Sequence, residues 1–331
     1  MQSFYPSIIL ILAFIVDLIF GDPNYRYHPV RIMGSFISVL LKSLRRHLLN
    51  NKVTGVFLTI LTIFFSVTVY SLLFLLFNKI HAVAGYLINI YFVYSLIALK
   101  DLFKHCRPVI KALQDKDLEN ARKYVGMIVG RDVDCLHEAG IVRAAVETLA
   151  ENFVDGFLSP VFWYTVGCLA GVVIKIDPVY SGIVFLIIFK AASTLDSMVG
   201  YKAEEFREIG WSGARLDDLM NFIPARLSLI VLFTGAALSG LNPVTGLRIS
   251  LRDRLKHESP NSAHSESFVS GAIKTRLGGP TRYRDGVKEK LWLGEEFQDP
   301  SVTDIKRVIM LLFLSSCIVV STFSLILLYL Y

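Results

Sequence analysis

The sequence lacks the short motifs that mark the common soluble enzyme sites. It contains no GxxxxGK[ST] run and no GxGxxG run, which excludes a P-loop and a Rossmann dinucleotide fingerprint. HExxH and GxSxG are also missing, so the zinc-protease and α/β-hydrolase signatures are absent. Any nucleotide site in this chain must therefore be built in a less common way.

Cysteine is scarce and widely spaced. The four cysteines form no CxxC pair, so neither a disulfide framework nor a zinc site is expected, and reduced structural thiols are the default interpretation. The sequence shows no internal repeat, no low-complexity tract and no basic-aromatic array that would suggest nucleic-acid binding.

Hydrophobic residues are abundant, at 53% of the chain, and they cluster in runs. Residues 53–77 carry no charge, and a helix of that length can cross a bilayer core of ~30 Å. We predict an all-α integral membrane protein that forms a single membrane-embedded domain over residues 1–331. Five to seven hydrophobic helical segments are expected, some of them re-entrant, at about 6–20, 53–77, 83–99, 161–174, 178–192, 222–241 and 308–331. The polar helical regions 100–160 and 243–307 are expected to form the site.

Lysine and arginine crowd the connections 21–52, 100–160, 200–221 and 246–307, and the net charge is +6. The positive-inside tendency places all four on the cytoplasmic side of the membrane. That placement requires one segment not to cross, so the number of crossings stays open. The segment 6–20 lacks a basic flank and a cleavage site, and is interpreted as an anchor or re-entrant segment rather than a signal peptide.

Residues 143–156 are the most informative part of the chain. Helical spacing places Arg143, Glu147, Glu151 and Asp155 on one face, with Asn152 beside them. Carboxylates against apolar surroundings are costly unless they are paired or bind a ligand. Two interpretations remain: a helix in which Arg143 pairs with Glu147, or a catalytic or Mg²⁺-binding face.

Two further polar segments precede this helix. Prolines and a glycine fix the backbone of the first, so Asp22, His28 and Arg31 could project toward one site at the membrane surface; a rigid turn is the alternative. In the second, Gly130 is expected to cap one helix and Asp132 to start the next. Arg131 would then hold a phosphate at the junction, with simple capping as the alternative.

Two segments lie near the ends of apolar runs. Lys190, Thr194 and Asp196 belong to the first, and ionisable residues at such depth are functional candidates, although snorkelling also accounts for Lys190. Adjacent Asp217 and Asp218 belong to the second and suit Mg²⁺, which takes oxygen ligands; a solvated helix end is the alternative.

A last polar segment contains the run ESPNSAHSES (258–267) and the tight turn LGGP (277–280). Ser-Pro-Asn and Gly-Gly-Pro are turn sequences. The alternatives here are an ordered site loop and a flexible loop.

In their order along the chain these blocks resemble the adenosylcobinamide-phosphate synthase family of cobalamin biosynthesis, the CbiB/CobD membrane proteins. The resemblance rests on DLIFGDP (17–23), HPVRIMG (28–34), VGRDVD (129–134), RAAVETLAENFVDGFLSPVFW (143–163), KAASTLDSMVGYK (190–202), ARLDDLMNFIPARL (214–227), ESPNSAHSES and LGGP. It implies an ATP-consuming amide ligation in the cytoplasmic membrane. Adenosylcobyric acid and an amino alcohol, usually (R)-1-aminopropan-2-ol O-phosphate, would give adenosylcobinamide phosphate.

One block departs from the family pattern, which usually reads SPN-Ala-Gly-(Trp/Tyr)-Pro-Glu. Here Ala263, His264 and Ser265 stand where the family has glycine, an aromatic residue and proline. Ser259, Asn261 and Glu266 match the pattern. The departure bears on loop shape and on the choice of amine, and it leaves the ligase assignment intact.

The resemblance and the polar patterns together give expected roles. ATP and Mg²⁺ are the expected cofactors. The catalytic candidates are Glu147, Glu151, Asn152, Asp155 and Asp196, and the metal candidates are Glu151, Asp155, Asp217 and Asp218. The candidates for binding substrates and phosphates are Asp22, His28, Arg31, Arg131, Asp132, Arg143, Lys190, Thr194, Tyr201, Lys202, Arg215, Arg226, Ser259, Asn261 and Glu266.

The expected partners are the corrinoid, the amino alcohol phosphate and membrane lipid, with no nucleic acid. A homo-oligomer or a complex with other cobalamin-pathway enzymes is a further expectation. The expected location is the cytoplasmic membrane, with several crossings and the site facing the cytoplasm. A corrinoid or anion transporter and an enzyme acting on a lipid phosphate are the alternative functions.

Overall fold

The computed structural model describes residues 5–22, 25–47, 50–200, 206–283 and 286–329. It is 77% helical with almost no sheet, which confirms the all-α prediction. The helices are α1 (Pro6–Phe20), α2 (Pro29–His47), α3 (Lys52–Ile80), α4 (Ala82–Leu96), α5 (Leu99–Gln114), α6 (Leu118–Gly126), α7 (Glu138–Phe153), α8 (Ser159–Ile174), α9 (Pro178–Val199), α10 (Trp211–Leu238), α11 (Pro243–Asp253), α12 (Ser262–Ile273) and α13 (Val302–Tyr329). A π-helix (Val154–Leu158) joins α7 to α8, and the short strands are β1 (Leu277–Gly278), β2 (Thr281–Tyr283), β3 (Gly286–Lys288) and β4 (Trp292–Leu293).

Within the described residues, six helical stretches are long and apolar enough to cross a membrane: Lys52–Ile80, Ala82–Gln114, Glu138–Ile174, Pro178–Val199, Trp211–Leu238 and Val302–Tyr329. α1 is apolar but shorter. The hydrophobic runs predicted from sequence therefore coincide with helices, and the chain has the make-up of a multi-pass membrane protein.

Several helices begin where the sequence supplies an N-cap. The side chain of Asn51 accepts a hydrogen bond of 3.0 Å from the Thr54 backbone N–H at the start of α3. Asp177 does the same for Tyr180 at 2.9 Å, followed by proline in the first turn of α9. Such caps satisfy backbone donors that have no partner within the helix.

One compact unit contains residues 1–98, 159–220 and 320–331. Its helices α8 and α9 approach closely because glycine lines the contact: a Cβ added at Gly167 would lie 2.6 Å from the Ser181 carbonyl oxygen. Ile37, Leu58 and Leu195 form part of its buried apolar core.

A second compact unit contains residues 99–158 and 221–319. Helix α12 lies inside it, buried from Ala263 to Ile273 and packed against α7, α11, β1 and β4. The flexible-loop alternative for residues 258–267 is therefore wrong from Ser262 onward. Because α12 is buried on all sides, its polar residues are unusual and need a physical explanation.

The cap predicted around residue 130 is also wrong. α6 ends at Gly126, and α7 begins at Glu138 after the N-cap residue His137. The Asp132 backbone N–H instead donates to the Arg282 carbonyl oxygen at 3.0 Å, and its carboxylate lies 3.3 Å from Arg282 Nε. A contact with strand β2, distant in sequence, thus replaces the local cap.

The segment after α12 forms two small antiparallel pairs that the sequence did not reveal. β1 pairs with β4 through Leu277 with Leu293 and Gly278 with Trp292. β2 pairs with β3, with Thr281 opposite Lys288. The β1–β4 pair lies against α12, and β1 also contacts α7, so these two strands complete the site described next.

Candidate functional site

A partly enclosed cavity of about 60 Å³ lies in the second unit, between α7, α12 and the segment that contains β1 and β4. Its lining combines carboxylates, cations, small polar groups and leucines: Glu147, Glu151, Glu266, Arg131, Lys256, His257, Lys290, Thr148, Gly278, Leu291 and Leu293. Four polar blocks that are distant in sequence therefore contribute to one cavity.

Glu147 is held from two sides. Its carboxylate pairs with the Arg131 guanidinium, and it accepts a hydrogen bond of 2.6 Å from the Gly278 backbone N–H. Gly278 has φ +72°, and a Cβ there would lie 2.7 Å from the Leu291 carbonyl oxygen, so glycine is required. Among the described residues the cation that pairs with Glu147 is Arg131. The interpretation in which Arg143 pairs with Glu147 is therefore wrong.

Arg143 does not line this cavity and has other partners. Its guanidinium stacks on the Trp292 ring at 4.7 Å and lies 3.8 Å from the Asp299 carboxylate. Arg276 stacks on the same ring at 4.5 Å and pairs with Asp299 at 2.8 Å. These contacts of Arg143 hold β4 against α7, so Arg143 helps to position the residues that line the cavity.

Glu151 lies one turn after Glu147 and reaches the same cavity, as the helical spacing predicts. One of its carboxylate oxygens accepts a hydrogen bond of 3.0 Å from Ser262 Oγ at the start of α12. Unlike Glu147, Glu151 forms no ion pair with an arginine among the described residues.

The other members of the predicted stripe do not line the cavity. Asp155 falls in the π-helix, where the wider turn breaks the four-residue repeat that would align it with Glu151. Asn152 is exposed, and its amide donates to the Thr148 carbonyl oxygen at 3.0 Å. Catalytic roles for Asp155 and Asn152 stay predictions.

Glu266 is a buried acid of the cavity, and like Glu147 it has 5% of its surface exposed. Burial and then the neighbouring charges of Glu151 and Glu147 raise the pKa of Glu266 well above its ordinary value. The protonated form of Glu266 is therefore favoured when the cavity is empty. In that form the side chain can donate a hydrogen bond as well as accept one.

Lys256, His257 and Lys290, which line the cavity, differ in the groups that they contact. Lys256 Nζ lies 2.8 Å from the buried carboxylate of Asp253 and donates to the Trp292 carbonyl oxygen at 3.0 Å. His257 Nδ1 accepts from the Ser259 backbone N–H at 3.0 Å, so a neutral His257 carries its proton on Nε2. Lys290 lies over the Tyr283 ring at 5.6 Å and forms no ion pair within the described part of the chain.

The first unit contains a separate group of predicted residues. His28 is buried, and its Nε2 lies 2.8 Å from the Asp22 carboxylate, so these two are brought together as expected. Arg31 is exposed and lines an open cavity of about 610 Å³ together with Tyr25 and Arg26. Their role in binding a substrate or a phosphate stays a prediction.

Predicted residues on α9 occupy the C-terminal half of that helix. Thr194 Oγ donates to the Lys190 carbonyl oxygen at 2.6 Å, and Asp196 is half-buried. Tyr201 and Lys202 lie outside the described residues.

Predicted residues on α10 are differently exposed. Arg215 is exposed, whereas Asp217 and Asp218 are half-buried. Arg226 lies over the Phe222 ring at 3.3 Å and donates to the Phe222 carbonyl oxygen at 2.6 Å.

The residues predicted at the start of α12 are ordered by local contacts. Asn261 is buried at the N-cap position, and its backbone N–H donates to Ser259 Oγ at 3.3 Å. These contacts shape the turn that presents Ser262 to Glu151.

The described residues contain no group of three or more His, Cys, Asp or Glu side chains that could hold a metal ion. Mg²⁺ needs only one or two protein carboxylates when substrate phosphates complete its shell. Glu151 suits such a shared role because it reaches the cavity and, among the described residues, its carboxylate is held by the Ser262 hydroxyl rather than by a cation. Magnesium binding by Glu151, Asp155, Asp217 and Asp218 stays a prediction.

The model of the CobD/Cbib protein family matches residues 10–312. Curated relatives include the cobalamin biosynthesis protein CobD of Pelobacter propionicus, 40% identical over 87% of this chain and 84% of the relative. The cobalamin biosynthesis protein CbiB of Salmonella choleraesuis is 36% identical over 94% of each chain. The chain belongs to the CobD/CbiB family. No solved structure matches it significantly.

In this CobD/CbiB family member the sequence pointed to Arg131, Glu147, Glu151 and Glu266 but missed other polar residues of the site. The lining residues Thr148, Lys256, His257 and Lys290, and Ser262 which binds Glu151, were not among the site candidates. Nothing in the local pattern distinguishes Lys290 from nearby surface lysines. The Gly-Gly-Pro turn is the only signal that could have indicated that this segment folds back toward α7.

Proposed function

We propose that the chain catalyses the ATP-dependent joining of adenosylcobyric acid to an aminopropanol phosphate, which gives adenosylcobinamide phosphate. Membership of the CobD/CbiB family supports a role in cobalamin biosynthesis. The observation that carries the proposal is the cavity in which Glu147, Glu151 and Glu266 meet Arg131 and Lys290. Amide ligation needs cations for phosphates and a proton acceptor for an ammonium group, and this cavity contains both.

The reaction needs an activated carboxylate and a neutral amine. A carboxylate oxygen of the corrinoid takes a phosphoryl group from ATP with release of ADP, or an adenylyl group with release of pyrophosphate. The amine nitrogen loses a proton and forms the C–N bond, and phosphate or AMP leaves with the electrons of the broken C–O bond. A second proton then leaves the nitrogen to complete the amide.

The contacts divide the carboxylates by role. Glu147 is neutralised by Arg131 and fixed by the Gly278 N–H, so it positions the segment that closes the cavity. Glu151 is held by one hydroxyl and has no arginine partner within the described residues, which suits a proton acceptor for the amine. Magnesium bound with ATP would neutralise the nucleotide phosphates.

The proposal is tested with the full chain, purified in detergent or nanodiscs. Adenosylcobyric acid, Mg-ATP and 1-aminopropan-2-ol phosphate should give the amide product by mass spectrometry. Glu151→Gln should lower turnover by roughly 10²-fold or more, the scale of general-base catalysis. Glu138→Gln is the matched control because Glu138 is an exposed acid on the same helix. Equal turnover in the two variants would remove Glu151 from the mechanism.

Two further arms separate the alternatives. Excess chelator should abolish ligation, and full activity in its presence would remove the metal. Corrinoid flux into sealed vesicles without ligation would favour a transporter, and turnover of a lipid phosphate would favour a lipid enzyme. The six candidate spans among the described residues support a membrane location, and the basic connections support a site on the cytoplasmic side.

A further inference from the structure

We infer that the small cavity of the second unit is the site of the amine substrate alone, and that it recognises a short zwitterion with a primary ammonium at one end and a phosphate monoester at the other. This inference rests on the proposed function and assigns one of its three substrates to a place. The nucleotide and the corrinoid must then be held elsewhere.

Size is the first argument. A cavity of about 60 Å³ has room for roughly four to six water molecules, since one water needs about 10–15 Å³ by this measure. That space suits a three-carbon amine with one phosphate. An adenine nucleotide or a corrin ring is several times too large for it.

Charge is the second argument. Glu151 and Glu266 present carboxyl groups to the cavity, and neither forms an ion pair among the described residues. Glu147 contributes little net attraction because Arg131 pairs with it. A bound ammonium would therefore be attracted to Glu151, and it would favour the ionised form of Glu266, which burial and the neighbouring carboxylates disfavour.

The candidate partners of the ligand's phosphate group are Lys290 and His257, which line the same cavity. Lys290 lines the cavity and forms no ion pair within the described residues, whereas the charge of Lys256 is already balanced by Asp253. His257 carries a proton on Nε2 when neutral, because its Nδ1 accepts a hydrogen bond from Ser259. A lysine and an imidazole N–H are common donors to phosphate oxygens.

The combination of both charge signs favours a zwitterion over simpler ligands. Inorganic phosphate would bring no cation to Glu151 and Glu266. An amine without phosphate would leave Lys290 without an ion-pair partner among the described residues. A molecule with both groups satisfies the carboxyl groups and Lys290 together.

The decisive variant is Lys290→Met, with Lys288→Met as the matched control. Lys288 is two residues away, is exposed and pairs with Glu258, so it does not line the cavity. Lys290→Met should raise the KM for 1-aminopropan-2-ol phosphate at least tenfold and leave the KM for ATP unchanged. Lys290→Arg should restore much of the loss. A raised KM for ATP, or no change in either KM, would overturn the inference.

Direct binding separates this inference from the proposed function. Without ATP or corrinoid, calorimetry on the purified chain should show saturable binding of 1-aminopropan-2-ol phosphate and much weaker binding of 1-aminopropan-2-ol and of inorganic phosphate. Lys290→Met should remove the preference for the phosphorylated amine. Binding without any ligation would leave the cavity assignment standing and overturn the proposed reaction. Ligation with Lys290→Met kinetics equal to wild type would do the reverse.

Discussion

Two acidic centres of the second unit are both buried, yet their surroundings differ. Asp253 is fully buried and receives Arg252 and Lys256 at 2.8 Å each, together with the Gly294 backbone N–H at 2.9 Å. The cavity gathers Glu147, Glu151 and Glu266, for which the described residues supply one ion-paired arginine. The Asp253 carboxylate therefore has several donors, whereas the cavity contains more carboxyl groups than ion-paired cations among the described residues.

This difference separates a structural carboxylate from a binding one. A buried charge with a complete set of donors stabilises the fold and has nothing left to offer a ligand. A buried acid crowded by like charges gains when a cation arrives. Lys256 lies at the border of the two centres, since it pairs with Asp253 and lines the cavity.

The largest expected effect is on stability at the saturated centre. Asp253→Ala removes the acceptor shared by Arg252, Lys256 and Gly294, and should lower the free energy of unfolding by about 3–5 kcal/mol. Thermal unfolding of the detergent-purified chain measures it. A loss below about 1 kcal/mol would show that water replaces the acceptor and would erase the contrast between the two centres.

The second prediction concerns the crowded centre. Glu266→Gln replaces a carboxyl group that favours its neutral form with a neutral side chain of similar shape, so stability should hold or rise. Turnover at low amine concentration should fall by roughly 10²-fold, because an amide cannot take the negative charge that a carboxyl group takes beside a bound ammonium. A melting temperature lowered as far as that of Asp253→Ala would contradict the assignment of Glu266 as a binding residue.

The two centres should also respond to pH with opposite signs. Burial alone would raise the pKa of Asp253, but hydrogen bonds from Arg252, Gly294 and Lys256 lower it to about 2. The unfolded state then binds more protons than the folded state between the ordinary pKa of about 3.8 and 2, so stability falls as pH drops through this window. The contribution lost there is about 2 kcal/mol.

Glu266 has a raised pKa, so its folded state binds more protons and its contribution is lost as pH rises above the ordinary value of 4.5. Melting temperature against pH for Asp253→Asn and Glu266→Gln measures both slopes. Asp253→Asn should reduce the fall in melting temperature as the pH drops below about 3.8. Glu266→Gln should reduce the fall in melting temperature as the pH rises above 4.5. Identical profiles for both variants would show that the two acids do not differ.

The smallest expected effect concerns another buried polar group on α12. His264 is fully buried, and neither ring nitrogen has a hydrogen-bond partner among the described residues. Burial, and then the charge of Arg226, lowers the pKa of His264 to about 4, so the ring is neutral near pH 7. His264→Phe should raise stability by about 1 kcal/mol, since an unpartnered buried polar group is removed.

A lowered melting temperature for His264→Phe would show that a water or ligand satisfies the ring in solution. Ser267→Ala is a suitable reference because Ser267 is buried on the same helix but donates to the Ala263 carbonyl oxygen. Its loss of a satisfied hydrogen bond should change stability in the opposite direction.

The predictions that held were those that depend on neighbours along the chain. The four-residue spacing brought Glu147 and Glu151 to one cavity, and the hydrophobic runs became helices. The predictions that failed concerned partners. Arg143 was the obvious neighbour of Glu147 by spacing, but Arg131 takes that place and Arg143 stacks on Trp292.

The sequence alone determined that this is a helical membrane chain with a pair of glutamates on one helical face, because helix periodicity and hydrophobicity act over a few turns. Only the tertiary structure decided which cation neutralises Glu147, that Glu266 is buried beside Glu151, and that Lys290 reaches the cavity. The outcomes for Glu266 and Lys290 depend on contacts between segments more than a hundred residues apart, as does the Gly278 N–H on Glu147, whereas the Arg131–Glu147 pair joins residues 16 apart. Electrostatic energy depends on distance and burial, and neither is set by position in the sequence.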